Sequence, residues 1–445
     1  MSAPVVKRRL LLLVPATTYR TEDFVAAARR LDVEVVVGAD HRSTLEAHAP
    51  GRFVTLDFAD PEATVRAVST LHAQRPFGAV VAVDDVPVVA AAAVAAALGL
   101  RANPVDAVAA TRNKHRLREA MRAAGLPTPP TRLFTRTDDP AAAAAAAEAA
   151  VGFPCVLKPT ILSASRGVIR ADDRPSFTAA FARLAALLAT PAVQARGAGA
   201  EADEILVEGF IPGPEVALEG LLAGGELSVL ALFDKPDPLD GPFFEETIYV
   251  TPSRLPIDSQ RAVARAAADV TRALGLREGP VHAELRLNEG GAWLNPVPKL
   301  RPRGAGREPR TKVLGPVLVE IAARSIGGLC ARTLRFGTGL TLEEVILRHA
   351  LGLPVASLAR EVAAAGVMML PIPGRGVLRA VAGVDEARAV PGIVEVTLTA
   401  HLGQEVVPLP EGSQYLGFVF SRADTPADAE AALRAAHAKL RFQID

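Results

Sequence analysis

The sequence is poor in the features that mark several classes of protein. Only two cysteines occur among its 445 residues, Cys155 and Cys330, and they lack metal-ligand spacing, which predicts reduced thiols in a cytoplasmic protein. Aromatic residues make up 4% of the chain, which argues against a surface for base stacking. The 49 basic and 49 acidic residues cancel, so no global attraction to nucleic acid or to an anionic membrane is expected.

No hydrophobic run is long enough for a membrane span or a typical secretory signal. The run LLLLV at 10–14 follows three basic residues but stops at Pro15, so a buried first strand explains it better than a signal peptide. The alanine-rich run at 141–150 is interrupted by Glu148 and is too short to cross a bilayer. We therefore expect no membrane partner.

Apolar residues are abundant, at 50% of the chain, and the length predicts about three domains. From about 10 to about 100, short apolar runs alternate with amphipathic helical patterns, which indicates a doubly wound domain with a parallel sheet. The first strand is followed by VPATTYR instead of a GxGxxG fingerprint, so a nicotinamide or flavin cofactor is not expected. Thr111 is predicted to cap a helix that ends near Ala124.

A lysine and the loop after it are the first candidates for chemistry. Lys158 ends the otherwise apolar strand FPCVLKP, where its ammonium must meet an anion or reach solvent. Residues 163–167, here called the small-residue loop, include Arg166 and can fold over phosphates, although they are not a Walker A sequence. A lysine that simply reaches solvent remains the alternative, and a surface position is the default for Lys114.

Two glutamates flank a proline and glycine connector farther along the chain. Glu208 closes the strand ILVE, and the turn at Gly213 and Pro214 delivers Glu215. The connector could present backbone groups to a flat heterocycle, with Glu215 accepting hydrogen bonds from hydroxyls. A hairpin with two solvated acids is the alternative.

Two further glutamates lie on apolar strands. Alternation in VHAELRL places His282, Glu284 and Arg286 on one face, and Glu320 lies in VLVEIAAR with Arg324 on its own face. If the strands pair antiparallel, both carboxylates can reach one divalent ion, and Mg²⁺ commonly takes one or two protein carboxylates. A ladder of glutamate and arginine side chains across the strands is the alternative.

Six motifs in this order resemble the ATP-grasp superfamily, and within it the ligases that join amino acids into dipeptides. They are Lys114 before AGLPTPP, FPCVLKP with the small-residue loop, LVEGFIPGPEVALEG, FFEETIYVTPS, VHAELRL and VLVEIAARSIGG. The resemblance covers essentially the whole chain and implies an α/β and α+β multidomain ATP-grasp fold. The implied domains are an N-terminal α/β domain with a doubly wound parallel sheet at 1–108, a lid domain at 109–205, a large domain at 206–352 and a small C-terminal α+β domain at 353–445.

The resemblance also implies roles for the residues that match its motifs. Lysines and the small-residue loop would hold the phosphates of ATP, two glutamates would bind Mg²⁺, or Mn²⁺ in its place, and Arg324 would contact the activated carboxylate and its tetrahedral intermediate. Glu246 would bind an amino group and Tyr249 would limit the size of the pocket. The implied residues are Lys158, Arg166 and Arg324 for catalysis; Lys114, Lys158, Ser165, Gly167, Glu208, Phe210, Ile211 and Glu215 for ATP; Glu246, Tyr249, Arg324, Gly327 and Gly328 for the amino acid; and Glu284 and Glu320 for metal.

The implied function is an ATP-dependent ligase that activates the carboxylate of an amino acid as an acyl phosphate and joins it to an amine, forming a dipeptide. Two alternatives stay open, namely the same fold with other carboxylates and acceptors, and a nucleotide-binding module without catalysis. Amino acids are the expected partners, and a homodimer is left open.

Two features depart from the superfamily pattern. Ala322 stands where many members have an asparagine that binds metal, and the dipeptide-forming branch often shares this alanine. The basic, proline-rich stretch at 288–316 replaces a short turn, and we expect an irregular, solvated insertion without a catalytic role. Trp293, Leu294 and Asn295 also resemble the start of the second strand, but 317–322 is preferred because it supplies a carboxylate.

Overall fold

The structure is a computed structural model that describes residues 8–16, 18–43, 49, 51–195, 199–294 and 311–445. For 289–294 and 311–314 only the backbone is described. Among the described residues, no helix combines the length and the apolar character needed to cross a membrane.

The N-terminal part is a parallel sheet with the strand order β3-β2-β1-β4. Its elements are β1 (Arg9–Val14), α1 (Thr21–Arg30), β2 (Glu34–Ala39), β3 (Phe53–Thr55), α2 (Pro61–Gln74), β4 (Ala79–Ala82) and α3 (Val88–Ala97). The leucines of β1 are completely buried because the sheet is covered on both faces, as a continuous apolar strand requires. The predicted doubly wound parallel sheet is confirmed.

Two short helices, α4 (Val105–Arg112) and α5 (Lys114–Ala123), lead into the next part of the chain. The prediction that Thr111 caps the second helix is wrong, because Thr111 lies inside α4 and donates to the carbonyl of Val108. Asn113 is the cap instead: its extended backbone separates the helices, and its side chain accepts hydrogen bonds from the amides of His115 and Arg116.

The lid domain is a four-stranded antiparallel sheet with the order β5-β8-β6-β7. Its elements are β5 (Thr131–Thr135), α6 (Pro140–Ala150), β6 (Cys155–Pro159), β7 (Ile169–Ala171), α7 (Arg174–Leu188), α8 (Pro191–Gln194) and β8 (Glu204–Gly209). A boundary at 206 would cut β8, whose partners β5 and β6 both belong to the lid. The domain boundaries remain predictions, and a boundary after Gly209 would keep this sheet whole.

An eight-stranded antiparallel sheet, ordered β13-β12-β9-β10-β11-β14-β18-β16, forms the floor of the molecule. Its strands are β9 (Glu215–Ala223), β10 (Glu226–Asp234), β11 (Ile248–Thr251), β12 (Gly279–Leu294), β13 (Thr311–Ala322), β14 (Ala364–Leu370), β16 (Ile393–Leu398) and β18 (Gly417–Ala423). Helix α9 (Ile257–Leu274) packs against it, with an apolar face that includes Val263, Ala267 and Val270.

The C-terminal part shares this sheet. Strands β14, β16 and β18 come from the predicted domain at 353–445, yet β14 pairs directly with β11 of the large domain. The remaining elements are α10 (Leu342–Ala350), β15 (Gly376–Ala382), α11 (Val384–Arg388), β17 (Glu405–Val406), α12 (Pro426–His437) and β19 (Arg441–Ile444), with β17-β15-β19 as a small sheet.

Strands β12 and β13 pair antiparallel, as predicted, and place Glu284 opposite Glu320. The prediction of an irregular segment from 288 to 316 is wrong at both ends, since the backbones of β12 and β13 stay paired out to Leu294 and Thr311. Trp293 and Leu294 therefore continue β12 instead of starting the second strand. The rest of the predicted insertion, 295–310, lies outside the described residues.

Candidate active site

A cavity of about 280 Å³ lies where the lid, the eight-stranded sheet and the N-terminal domain meet. Its wall includes all but two of the residues that the sequence implicates in binding or catalysis. Arg166 and Gly167 are the exceptions. The cavity thus brings residues from positions more than 200 apart in the chain into one site.

A buried ionic cluster forms the part of the wall contributed by the lid. Lys158, 4% exposed at the end of β6, contacts the carboxylate of Glu208 on the adjacent β8. Arg118 of α5 binds the same carboxylate through Nε and Nη2, at 3.0 and 3.1 Å. Arg118 also donates to the carbonyls of Leu318 and Val319, so the cluster connects the lid to β13.

The charges in this cluster shift the pKa values of its members. Burial raises the pKa of Glu208, but Arg118 and Lys158 outweigh it and bring the value to about 2. Burial lowers the pKa of Lys158, and the attraction of Glu208 only partly opposes it because Arg118 and Lys114 repel a further charge. The cluster therefore holds two cations on one carboxylate. The predicted role of Glu208 in binding ATP remains a prediction, since its carboxylate is bound to these cations here.

Lys114 starts α5 and connects this region to the carboxylates of the floor. Its Nζ donates to the carbonyl of Leu162 at 2.5 Å and lies 3.6 Å from the Oε2 atom of Glu320. A lysine at the first position of a helix is usually solvated, but this one is only 7% exposed.

A second buried lysine lies behind the wall of the cavity, against three glutamates that line it. Lys235 follows β10, and its Nζ contacts three carboxylates: Glu215 at 2.7 Å, Glu246 at 2.5 Å and Glu284 at 3.0 Å. Arg286 also binds Glu215, at 2.8 Å. Lys235 is not among the predicted site residues, although a lysine after an apolar strand is the same signal that points to Lys158.

Three carboxylates around one ammonium dominate the electrostatics there. Burial alone would lower the pKa of Lys235, but Glu215, Glu246 and Glu284 together raise it well above its usual value. Burial and the charge of Glu284 raise the pKa of Glu246 to about 7. Lys235 and His282 overcome the effect of burial on Glu284 and lower its pKa.

His282 lies between two carboxylates, whereas the sequence predicts for it only a position on one face of its strand. Its Nδ1 atom lies 3.3 Å from the Oε2 atom of Glu219, and its Nε2 atom lies 3.5 Å from the Oε1 atom of Glu284. Glu219 is fully buried and also accepts from the amide of Ile326 at 3.0 Å. One carboxylate therefore fixes both the imidazole and the backbone that follows Arg324.

Arg324 enters the cavity with part of its guanidinium already engaged. Its Nε and Nη2 atoms form a two-point pair with Asp85, at 3.1 and 2.9 Å, and Arg112 contacts the same carboxylate at 3.3 Å. Asp85 and its neighbour Asp84 follow β4, at the carboxyl edge of a parallel sheet where ligands commonly bind. Acidic residues directly after a strand of a parallel sheet are a sequence signal for a ligand site, although neither aspartate is among the predicted residues.

The small-residue loop reaches the cavity through Ser163, Ala164 and Ser165. Ala164 and Ser165 have positive φ angles of 57° and 53°, a conformation that costs energy for residues with a Cβ atom. Arg166 and Gly167 turn away from the cavity toward the C-terminal part of the chain.

Apolar side chains complete the wall in two places. Phe210, Ile211, Leu239 and Phe244 lie near the lid strands, and the rings of Phe210 and Phe244 are 6.4 Å apart. A second group consists of Tyr19, Tyr249, Cys330, Met369 and Tyr415. The first group suits a flat heterocycle, and the second suits an apolar side chain.

The glutamates of the cavity fit a divalent cation. Glu284 and Glu320 are direct cross-strand neighbours and remain 17% and 30% exposed in their side chains. Among the described residues, oxygens of Glu215, Glu246 and Glu284 also lie within 4.8 Å of one another. All of these donors are carboxylate oxygens, which Mg²⁺ and Mn²⁺ accept. The binding of metal by Glu284 and Glu320 remains a prediction.

Comparison with known proteins assigns three parts of the chain to families. Residues 25–102 match the ATP-grasp N-terminal domain, 151–306 the ATP-grasp domain and 368–445 the L-amino acid ligase C-terminal domain 2. Alanine–anticapsin ligase of Bacillus amyloliquefaciens is 30% identical over 202 residues, which are 43% of this chain and 41% of that enzyme. The chain thus aligns with less than half of that relative.

Similarity to solved structures extends over a larger share of the chain than the alignment with alanine–anticapsin ligase does. The crystal structure of L-amino acid ligase from Bacillus licheniformis has a TM-score of 0.78 and 26% identity, covering 99% of this chain and 100% of that one. A carboxyaminoimidazole ribonucleotide synthase from Aspergillus clavatus, solved with ATP, has a TM-score of 0.67 at 19% identity, covering 98% and 99% of the two chains. This second likeness shows the fold alone.

Proposed function

Because this chain is a member of the ATP-grasp superfamily and carries an L-amino acid ligase C-terminal domain, we propose that it joins two amino acids into a dipeptide at the expense of ATP. The chemistry would be that of a carboxylate-amine ligase, forming an amide bond. One observation carries the proposal. A single cavity contains two lysines of the phosphate-binding motifs, the opposed pair Glu284 and Glu320, and Arg324.

The first step would form an acyl phosphate. A carboxylate oxygen of the first amino acid attacks the γ-phosphorus of ATP, and ADP leaves with the electron pair of the broken bond. Phosphoryl transfer requires mainly positioning and charge neutralisation, which Lys114 and Lys158 supply as buried cations. Glu284 and Glu320 would hold Mg²⁺, which neutralises phosphate charge when bound.

The second step would form the amide bond. The amine of the second amino acid attacks the acyl carbon, the carbonyl electrons move onto oxygen, and phosphate then leaves as the carbonyl reforms. Arg324 is fixed by Asp85 and has guanidinium N–H groups beyond those in this pair, so it can hold the oxyanion without reorganising. The proton lost by the amine passes to solvent.

Substrate selection would depend on the part of the cavity around Glu246 and Tyr249. Glu246 lies there beside Lys235 and offers a carboxylate to the ammonium of the first amino acid. The ring of Tyr249 is 2% exposed and its hydroxyl lies 3.4 Å from Glu284, so the pocket has a fixed wall there. With Cys330 and Met369 nearby, this pocket favours an apolar side chain.

A panel of amino-acid pairs with MgATP tests the proposal, with dipeptide mass and phosphate release as readouts. We expect at least one pair to yield a dipeptide with one phosphate per bond. Glu320→Gln should abolish turnover, whereas Glu226→Gln, an exposed control on β10, should leave it unchanged. ATP binding without turnover on any pair would favour a nucleotide-binding module, and turnover only with another carboxylate would replace the substrate class.

A further inference from the structure

The lid and the C-terminal part of the chain meet at a small contact outside the cavity. Gly167 of the small-residue loop donates its amide hydrogen to the carbonyl of Pro410 at 2.8 Å. The Nε atom of Arg166 donates to the carbonyl of Glu411, also at 2.8 Å. Two successive residues of the loop thus donate hydrogen bonds to two successive residues of the C-terminal part. We call this pair of residues, Pro410 and Glu411, the clasp.

An ion pair strengthens the same contact. Arg183 of α7 binds the Glu411 carboxylate at two points, with Nε and Nη2 at 2.5 and 2.8 Å from its two oxygens. The guanidinium of Arg183 also lies over the ring of Phe243, 5.0 Å from its centre. Glu411 is the one residue of this contact that binds both the loop, through its carbonyl, and the body of the lid, through its side chain.

The small-residue loop needs support of this kind. Ala164 and Ser165 hold left-handed backbone angles, which persist where surrounding contacts over-determine them. Gly167, at φ +74°, cannot take a side chain, since a Cβ atom would lie 2.7 Å from Pro159 and 2.8 Å from Leu184. The loop is therefore packed on the lid behind it and hydrogen-bonded to the clasp beside it.

The clasp also continues into the wall of the cavity. Ser413 and Tyr415, two and four residues after Glu411, line the same cavity that the loop covers. Gly412, between the clasp and Ser413, is closely packed, because its amide donates to the carbonyl of Pro408 at 2.9 Å and a Cβ atom here would collide with Val407. The segment that holds the lid is thus part of the substrate site.

We propose that Glu411 is a positioning residue that holds the small-residue loop in place over the phosphates of ATP. The inference rests on the proposed function for its role in catalysis, but the position of the loop is a property of the protein alone. Removing the carboxylate leaves the backbone contacts of Pro410 and Glu411 in place, so a partial effect is expected. Reversing its charge places two cations together and should push the lid away.

Charge reversal and its compensation test the proposal. We expect Glu411→Arg to raise KM for ATP roughly fivefold to tenfold, with a smaller change in KM for the amino acids. The doubly reversed variant, Arg183→Glu with Glu411→Arg, should return KM for ATP to within about twofold of the wild-type value. A merely structural role would lower activity toward all substrates together, so the difference between the change in KM for ATP and the change in KM for the amino acids distinguishes the two roles.

The lid supplies a matched control. Arg174 and Glu148 form an exposed ion pair at 2.5 Å on the same domain, without contact to the clasp. Glu148→Arg makes the same charge change and should leave KM for ATP unchanged. Equal effects of Glu148→Arg and Glu411→Arg, or failure of the double reversal to restore KM, would overturn the proposal.

A readout without turnover separates this inference from the proposed function. Hydrogen exchange at 163–168 should be faster in Glu411→Arg than in the wild type and should recover in the doubly reversed variant. Binding of a non-hydrolysable ATP analogue with Mg²⁺ should weaken by the same factor as the rise in KM. Unchanged exchange and binding would refute the positioning role even if dipeptides form, whereas changed exchange and binding would support it even if no dipeptide is found.

Discussion

Two buried lysines, Lys158 in the wall of the cavity and Lys235 behind the glutamates of that wall, have opposite electrostatic surroundings. Lys158 shares the single carboxylate of Glu208 with Arg118, and its pKa is lowered, mainly by burial. Lys235 is surrounded by three carboxylates, which overcome burial and raise its pKa well above the usual value. Residues of the same type, buried to nearly the same extent, thus have pKa values shifted in opposite directions.

The difference indicates that the two regions suit ligands of opposite charge. Around Lys158 the cations exceed the carboxylates, which suits the phosphates of a nucleotide. Around Lys235 the carboxylates exceed the ammonium groups, which suits a metal ion or the ammonium of an amino acid. Lys114, paired with Glu320 at 3.6 Å, lies between the two regions, where phosphate and metal would meet.

Loss of Lys235 should produce the largest effect on stability. In Lys235→Met, one buried and two partly buried carboxylates lose their shared cation, and breaking a buried pair in this way costs about 3–5 kcal/mol. Lys158→Met should cost clearly less, since Arg118 still pairs with Glu208. Urea denaturation measures both free energies of unfolding. Equal losses would show that the two regions do not differ as described.

Lowering the pH should destabilise the fold through the ionic cluster around Lys158. Glu208 has a pKa of about 2 in the folded protein, below the model-peptide value of 4.5, so its pairing stabilises the fold above pH 4.5 and is lost as the pH falls toward 2. The contribution is on the order of 3 kcal/mol. Glu208→Gln should show a shallower fall in the free energy of unfolding across this range, and an identical slope would contradict the assignment.

Lys158→Met should lower kcat/KM about 100-fold, as expected for the loss of one preorganised charge at a transferring phosphoryl group. The exposed control Lys439→Met should change it by less than twofold. Steady-state kinetics under saturating amino acids measure both. Retained activity in Lys158→Met would remove this lysine from the phosphate site.

The smallest expected effects on activity and stability come from substitutions at two adjacent glycines that line the cavity. A Cβ atom at Gly327 would meet nothing within 4 Å, so Gly327→Ala should only narrow the pocket and change KM for bulky amino acids about threefold. Gly328 has a φ of +58° and a Cβ atom there would lie 2.9 Å from Phe418, so Gly328→Ala should destabilise the fold by about 1–2 kcal/mol. Melting temperatures and KM values distinguish the two outcomes.

Sequence patterns predicted the strands and helices that place the site, because buried strands and amphipathic helices have distinct periods. The same patterns could not show that Glu215, Glu246 and Glu284 converge on Lys235, since these residues lie on different strands and loops. Arg118 illustrates this limit. On an amphipathic helix it resembles a solvated residue, yet it is 1% exposed because it pairs with Glu208, which lies 90 residues farther along the chain. Long-range charge pairing leaves no local signal.

Transfer of oxygen from substrate to phosphate tests the central claim most directly. The carboxylate oxygens of the first amino acid are labelled with ¹⁸O, the protein is supplied with MgATP and the second amino acid, and the released phosphate is analysed by mass. Because a carboxylate oxygen attacks the γ-phosphorus, one labelled oxygen should appear in phosphate for each dipeptide formed. Dipeptide formation with unlabelled phosphate would contradict the acyl phosphate mechanism.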